Sequence, residues 1–121
     1  MPTYVDGFVF TVPKKNLALY KKMAQLGAKV WMEHGAVSYR ECVGEDMKVK
    51  FGLPFPKLAK AKPSETIVFS WIVYKSRKDR DRVNAKVMAD KRLTGDGMDH
   101  KDMPFDMKRM AYGGFEVLVE A

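Results

Sequence analysis

The fold of this chain is decided by residues 66–90, which read TIVFSWIVYKSRKDRDRVNAKVMAD. The first nine residues carry apolar side chains on both alternating faces, which is typical of a strand that is covered on both sides. The remainder predicts a basic helix, because Ser76 and Asp79 have the spacing of a capping box and Val83 and Val87 fall on one apolar stripe. One layer of helices covers only one face of a sheet. In a chain this short, the other face indicates a partner subunit.

The rest of the chain supplies three more strands and one more helix. Alternating apolar residues predict strands over residues 4–12, 37–43 and 111–119, the second of them short and more polar. Apolar residues at helical spacing predict a helix over residues 14–34, and Gly35 is placed to end it.

The order of the elements is therefore β-α-β-β-α-β, with long loops at residues 44–64 and 91–106. This is the ferredoxin-like arrangement, in which a four-stranded antiparallel sheet carries both helices on one face. The other face is apolar whichever alternation is chosen, which is a large exposed patch for a monomer. We therefore predict an α+β fold in a single domain over residues 1–121. We expect a homodimer whose two sheets close into an α/β barrel.

Composition narrows the class of protein. The chain has 121 residues, of which 46% are hydrophobic and 31% are charged, so we do not expect disorder. The single cysteine, Cys42, and a beginning without an apolar signal core predict a cytoplasmic protein. No apolar run approaches the ~18 residues of a membrane span, so no membrane partner is expected.

The net charge of +7 is unevenly distributed. Residues 75–92 hold eight basic and three acidic side chains, a net charge of +5. Such a surface attracts phosphate or nucleic acid, but a solvated helix face explains the same residues. The chain has no match to the sequence signature of the ferredoxin-like RNA-binding module. RNA binding is therefore kept as the less favoured alternative.

Three long strings carry a family resemblance. They are YVDGFVFTVPKKNLALY at residues 4–20, FSWIVYKSRKDRDRVNAKVMAD at residues 69–90 and MPFDMKRMAYGGFEVLVE at residues 103–120. The chain resembles the YbaA-like family of small bacterial proteins, a domain of unknown function. This resemblance implies the dimeric α/β-barrel superfamily. Its members include cofactor-independent monooxygenases, haem-handling proteins, small-molecule isomerases and ligand-sensing domains, and the fold does not select among them. The family offers no established catalytic residues.

Two carboxylates in the middle of predicted strands are the candidate catalytic residues. Asp6 and Glu116 lie between apolar neighbours, and a carboxylate in a half-buried sheet is costly unless it is paired. Arg40 and Arg109 are the expected partners. Such a polar cluster in an apolar barrel is typical of a ligand pocket, and one carboxylate could then act as a general base. The alternative is a position at a strand edge or a structural salt bridge.

Ser70 and Trp71 on the third strand complete the predicted ligand-binding set, with Arg40 or Arg109 neutralising an acidic group of the ligand. The first hypothesis is a homodimer whose barrel binds a small, largely apolar or aromatic molecule, with a cofactor-independent reaction as an open extension. The second hypothesis is a non-enzymatic accessory dimer whose barrel is a filled core. A barrel interior without a cavity would favour the second hypothesis.

Neither a metal nor a cofactor is predicted. One cysteine with two histidines, His34 and His100, gives no zinc-binding spacing. His34 is expected at the C-terminal end of the first helix, where it favours the helix dipole. The acidic residues around His100 lack the spacing of a calcium loop. The glycines at 95, 97, 113 and 114 do not form a phosphate-binding or dinucleotide-binding loop.

Overall fold

The strands and long helices follow one another in the predicted order. The computed structural model of the chain describes residues 2–94 and 103–121. In chain order the elements are β1 (Tyr4–Pro13), α1 (Leu17–Glu33), β2 (Ser38–Val43), α2 (Phe55–Leu58), β3 (Glu65–Tyr74), α3 (Arg77–Met88), α4 (Lys91–Thr94) and β4 (Ala111–Glu116). Single 3₁₀ turns, Lys14–Asn16 and Met107–Arg109, precede α1 and β4.

The four strands form one antiparallel sheet in the order β2-β3-β1-β4. This is the strand order of the ferredoxin-like unit, so the predicted α+β fold is confirmed. The two most apolar strands, β1 and β3, lie in the centre of the sheet. The register places Asp6 opposite Ile72 and Glu41 opposite Ser70.

The two faces of the sheet have different surroundings. Even-numbered side chains of β1 face the helices, as the contact between the Phe10 and Tyr20 rings shows, with 5.5 Å between their centroids. Neither long helix covers the opposite face, but α2 lies against part of it, since the Phe55 and Phe69 rings are 6.1 Å apart between centroids. Phe69 and Phe115 lie on it with 44% and 61% of their surfaces exposed. The expected bare apolar face is therefore only partly open, since Thr11 and Ile67 on it are buried within the protomer.

The two long helices end and begin where local chemistry predicts. The backbone N–H of Asp79 donates to the Ser76 side chain at 3.1 Å and caps α3. Gly35 follows α1 with a φ of 117°, a backbone conformation in which a Cβ would be strained.

Several boundaries differ from the prediction, and α1 begins at Leu17 because Lys14–Asn16 form a 3₁₀ turn. The last strand ends at Glu116, because β1 begins at Tyr4 and offers no further partner; beyond it the Val117 N–H donates to the Thr3 carbonyl at 2.9 Å. The loop 44–64 contains the short helix α2, whose Pro56 stands in the first turn, where a missing N–H costs little. The loop 91–106 begins with α4, and its residues 95–102, including His100, lie outside the described residues.

Candidate ligand-binding cavity

A cavity of about 490 Å³ lies between the sheet and the helices of a single protomer. Its walls come from α1, from the helix-facing side of β1, β2 and β3, from α3 and α4, and from residues 103–110. The two clusters of buried apolar side chains pack in this same layer. The cavity is therefore a gap in the core itself.

The walls are mainly aromatic rings and thioethers. Phe10, Tyr20 and Phe105 contact one another with centroid distances of 4.7–5.5 Å. Met23 and Met110 are among the five methionines of the described residues that line the cavity. Methionine is unbranched and adapts its shape to an irregular neighbour, so such walls can accommodate a bound apolar molecule.

One carboxylate interrupts this apolar lining. Glu41 points from β2 towards the helices and accepts two hydrogen bonds. The Tyr20 hydroxyl donates to Oε1 at 2.7 Å, and the Tyr39 hydroxyl donates to Oε2 at 2.6 Å. Tyr39 and Glu41 are two residues apart on one strand and share its face, whereas Tyr20 reaches them from α1.

Both tyrosines are held in their neutral form. Burial raises the pKa of Tyr20 well above its ordinary value, and the negative charge of Glu41 raises it further. The pKa of Tyr39 is raised by the same two causes in the same order. The two hydroxyls therefore keep their protons and remain donors to Glu41.

A glycine on α1 leaves room for this cluster. A Cβ at Gly27 would lie 3.2 Å from the Tyr39 hydroxyl and 3.8 Å from the Trp31 ring. A side chain at this position would crowd Tyr39. Glycine in the middle of a helix costs stability, so its presence here is explained by the close approach of the hydroxyl.

Of the six residues predicted from the sequence, Ser70 alone lines the cavity. It is only 5% exposed and stands directly opposite Glu41 in the sheet. Its hydroxyl can both donate and accept a hydrogen bond, so it offers a polar contact to a molecule in the cavity.

Arg40 and Trp71 lie on the other side of the sheet. They are opposite one another in the register and both project from the open face. Arg40 is exposed, and the Trp71 ring contacts Phe69 with 5.3 Å between centroids. Neither residue lines the cavity.

The predicted partnership of Arg109 is also wrong. Its guanidinium forms an ion pair with Glu65 at 2.8 Å and donates to the Lys60 carbonyl at 2.7 Å. The hydrogen bond from Arg109 lowers the pKa of Glu65 to about 2. Arg109 thus fixes the chain before β4 to the start of β3. Glu116 is exposed at the end of β4 and joins no cluster with it.

Asp6 is sealed into a separate polar network. It is 1% exposed, and its partner is neither Arg40 nor Arg109 but Arg80 of α3, at 2.8 Å. The hydroxyls of Tyr74 and Tyr112 lie 3.2 and 3.3 Å from its carboxylate. The predicted cluster of Asp6, Glu116, Arg40 and Arg109 does not form, because β1 turns Asp6 towards α3. Asp6 does not line the cavity.

The sequence reasoning missed Glu41, Tyr20 and Tyr39. A signal was present, since the alternation in SYRECV places Tyr39 and Glu41 on one face of β2, and Tyr20 lies on the apolar stripe of α1. The alternation does not show which of the two faces of β2 meets the helices.

The described residues offer little support for a metal or for a membrane span. Within residues 2–94 and 103–121, no three His, Cys, Asp or Glu side chains converge to hold a metal ion. His34 pairs with Asp90 at 2.8 Å at the end of α1. In the same part of the chain, no helix is long and apolar enough to cross a membrane.

Comparison with known proteins identifies the family. The sequence profile described as "Protein of unknown function (DUF1428)" matches residues 3–107. The chain belongs to this family. Its relatives include the uncharacterised protein YbaA of Escherichia coli K12 and that of Shigella flexneri, each 42% identical over 117 residues and covering 97% of both chains. The predicted resemblance to the YbaA-like family is confirmed.

The fold also has a counterpart among solved structures. A dimeric ferredoxin-like protein from an uncultured marine organism superposes with a TM-score of 0.62, at 11% sequence identity, over 100% of both chains. At this identity the likeness supports the fold and says nothing about a ligand. The fold does not identify a function, which must therefore be argued from the site.

Proposed function

We propose that the chain binds a small, largely apolar or aromatic molecule in the cavity between the sheet and the helices. The observation that carries this proposal is a cavity of about 490 Å³ whose described walls are mainly apolar and place the Glu41 carboxylate and the Ser70 hydroxyl among rings and thioethers. Small-molecule sites commonly have volumes of roughly 300–1,000 Å³ and combine apolar walls with a few polar contacts. The ligand class agrees with the sequence-based hypothesis, but the site moves from the dimer barrel to the interior of one protomer.

A cofactor-independent reaction stays a prediction. Among the described lining residues, Glu41 is the carboxylate that could exchange a proton with a bound molecule. It replaces Asp6 and Glu116 as the candidate for an acid or base.

The open sheet face supports a proposal about assembly. Phe69 and Phe115 are exposed on this face beside the half-buried Trp71, and a second copy packed sheet to sheet would cover this apolar surface. The ferredoxin-like neighbour is itself dimeric. A cytoplasmic location belongs to the same proposal and is supported by the single cysteine.

The basic helix gives less support to nucleic-acid binding. Three of its arginines are engaged in ion pairs: Arg77 with Asp81, Arg80 with Asp6, and Arg82 with Asp79. This pairing supports a solvated and structural helix rather than a free cationic surface.

The test of the proposed function is the binding of a neutral apolar probe. N-phenyl-naphthylamine fluoresces more strongly in apolar surroundings, so wild-type protein is expected to give a saturable increase. Ala24→Phe fills the cavity from α1 and is expected to abolish the increase. Ala18→Phe, on an exposed position of the same helix, is the matched control and is expected to behave as wild type.

Saturable binding to Ala24→Phe with wild-type affinity would overturn the proposal. Circular dichroism establishes that each variant is folded. If Ala24→Phe is not folded, Ser70→Leu narrows the cavity from the opposite wall and provides the same comparison.

A further inference from the structure

The cavity has an unusual distribution of charge for so basic a protein. The chain carries a net charge of +7, yet no lysine, arginine or histidine of the described residues lines the cavity. Glu41 is the one charged side chain in that part of the lining. The described part of the lining is therefore negative although the protein as a whole is positive.

Glu41 also has no counter-charge among the described residues. Among residues 2–94 and 103–121 its carboxylate forms no ion pair, and its hydrogen-bond donors are the neutral hydroxyls of Tyr20 and Tyr39. Two donated O–H groups are the arrangement expected around a carboxylate rather than around a carboxylic acid. A carboxylate offers about four acceptor positions, so about two are left for a ligand. An unpaired charge in apolar surroundings is costly, and a cation would relieve this cost.

The aromatic walls also favour a positively charged ligand. Tyr20 and Tyr39 stand beside Glu41, and Phe10 and Trp31 line the cavity with them. The faces of aromatic rings attract cations, and this attraction grows when water is excluded. The carboxylate and the rings thus both favour a ligand that carries a positive charge.

We infer that the bound molecule is an apolar amine, protonated at neutral pH, whose ammonium group pairs with Glu41. Its aromatic or aliphatic body contacts the rings and the thioethers of the walls, and the Ser70 hydroxyl accepts or donates a further hydrogen bond. This inference rests on the proposed function and makes it specific. It also reverses the sequence-based expectation of an acidic ligand, because Arg40 and Arg109 both lie away from the cavity.

The test compares three ligands with one body and different charge. Naphthylmethylamine, naphthylmethanol and naphthoate, substituted at the same ring carbon, are titrated into wild-type protein by calorimetry at neutral pH. The amine is expected to bind about tenfold or more tightly than the alcohol, because a charge-assisted hydrogen bond is roughly twice as strong as a neutral one. The carboxylate is expected to bind most weakly.

The variant Glu41→Gln removes the charge and keeps the shape. It is expected to bind the amine and the alcohol with similar affinity. Glu45→Gln removes the same charge from an exposed position after β2 and is expected to keep the wild-type preference. If Glu41→Gln does not fold, the ligand series on wild-type protein still decides.

The outcomes separate the two proposals. A preference for the amine that is lost in Glu41→Gln supports the inference. Alcohol binding equal to or tighter than amine binding overturns the inference and leaves the proposed function standing. Binding of none of the three ligands, together with no binding of the neutral probe, overturns both.

Discussion

Nη1 of Arg80 lies 2.8 Å from Oδ1 of Asp6, and both side chains are largely withdrawn from water, at 12% and 1% exposure. The pair joins α3 to the central strand β1. Tyr112 extends the connection to β4, since its hydroxyl lies 3.0 Å from the same Arg80 nitrogen. Removing one member of a buried pair leaves the other charged and unpaired.

Arg80→Ala is therefore expected to lower the free energy of unfolding by about 3–5 kcal/mol, as measured by urea denaturation. Arg77→Ala on the same helix breaks the exposed pair with Asp81 and is expected to cost less than about 1 kcal/mol. Equal effects of the two variants would contradict a buried ionic connection. Asp6→Ala removes the other member of the pair and is likewise expected to lower stability, although the sequence pattern made Asp6 a candidate catalytic residue.

Alkaline pH is expected to destabilise the protein through its buried tyrosines. The folded-state pKa values of Tyr20, Tyr39 and Tyr74 are raised, first by burial. A raised pKa contributes stability that is fully present below the unfolded value, about 10 for tyrosine, and is lost as the pH rises above it. Above this pH, the urea concentration at the midpoint of unfolding should decrease. In Tyr20→Phe this decrease of the midpoint should be smaller. A decrease equal to that of the wild type would contradict the raised pKa of Tyr20.

The approach of Gly27 to Tyr39 can be tested with a double-mutant cycle. Alanine is favoured over glycine inside a helix by about 1 kcal/mol, but here its Cβ would crowd the Tyr39 hydroxyl. Gly27→Ala is therefore expected to yield little or no stabilisation alone. In a Tyr39→Phe background, where the hydroxyl is absent, it should stabilise by about 1 kcal/mol. Additive effects on the unfolding free energy would contradict the contact.

The proposed dimer predicts that a charge placed on the open face weakens the association of the two subunits. Phe69→Glu places a charge in the centre of that face and is expected to shift the protein to monomers in sedimentation velocity. Leu19→Glu, on an exposed position of α1 away from the sheet, should leave the dimer intact. A wild-type protein that sediments as a monomer would refute the dimer and leave the cavity unaffected.

The fold followed from the sequence because its signals are local. Alternation on β1 and β3, the cap at Ser76 and the stop at Gly35 each depend on a few neighbouring residues. The end of β4 did not follow, because the apolar alternation continues beyond Glu116 while the ladder stops with its partner strand. The sequence pattern predicts where a strand can form, but the length of the neighbouring strand determines where it ends.

The site could be predicted only in part, since its members meet through packing. The sequence does not show which face of β1 turns towards α3, so Asp6 was assigned to the wrong arginine, although its true partner lies 74 positions further along. Ser70 was named together with Trp71 because the sequence did not show which face of β3 lines the site, and only Ser70 lies on the cavity side. Glu41 was missed because its importance depends on Tyr20, which reaches it from another element.

The two tryptophans are placed so that the protein carries its own pair of optical reporters. Trp31 lines the cavity, and its indole Nε1 donates to Oδ1 of Asn84 at 3.1 Å, whereas Trp71 projects from the opposite side of the sheet. Emission from Trp31, observed in a Trp71→Phe background, should respond to occupancy. Emission from Trp71, observed with Trp31 replaced by Phe, should respond to contact between subunits. Filling of the interior and pairing of the chains can thus be followed separately in one small molecule without an added label.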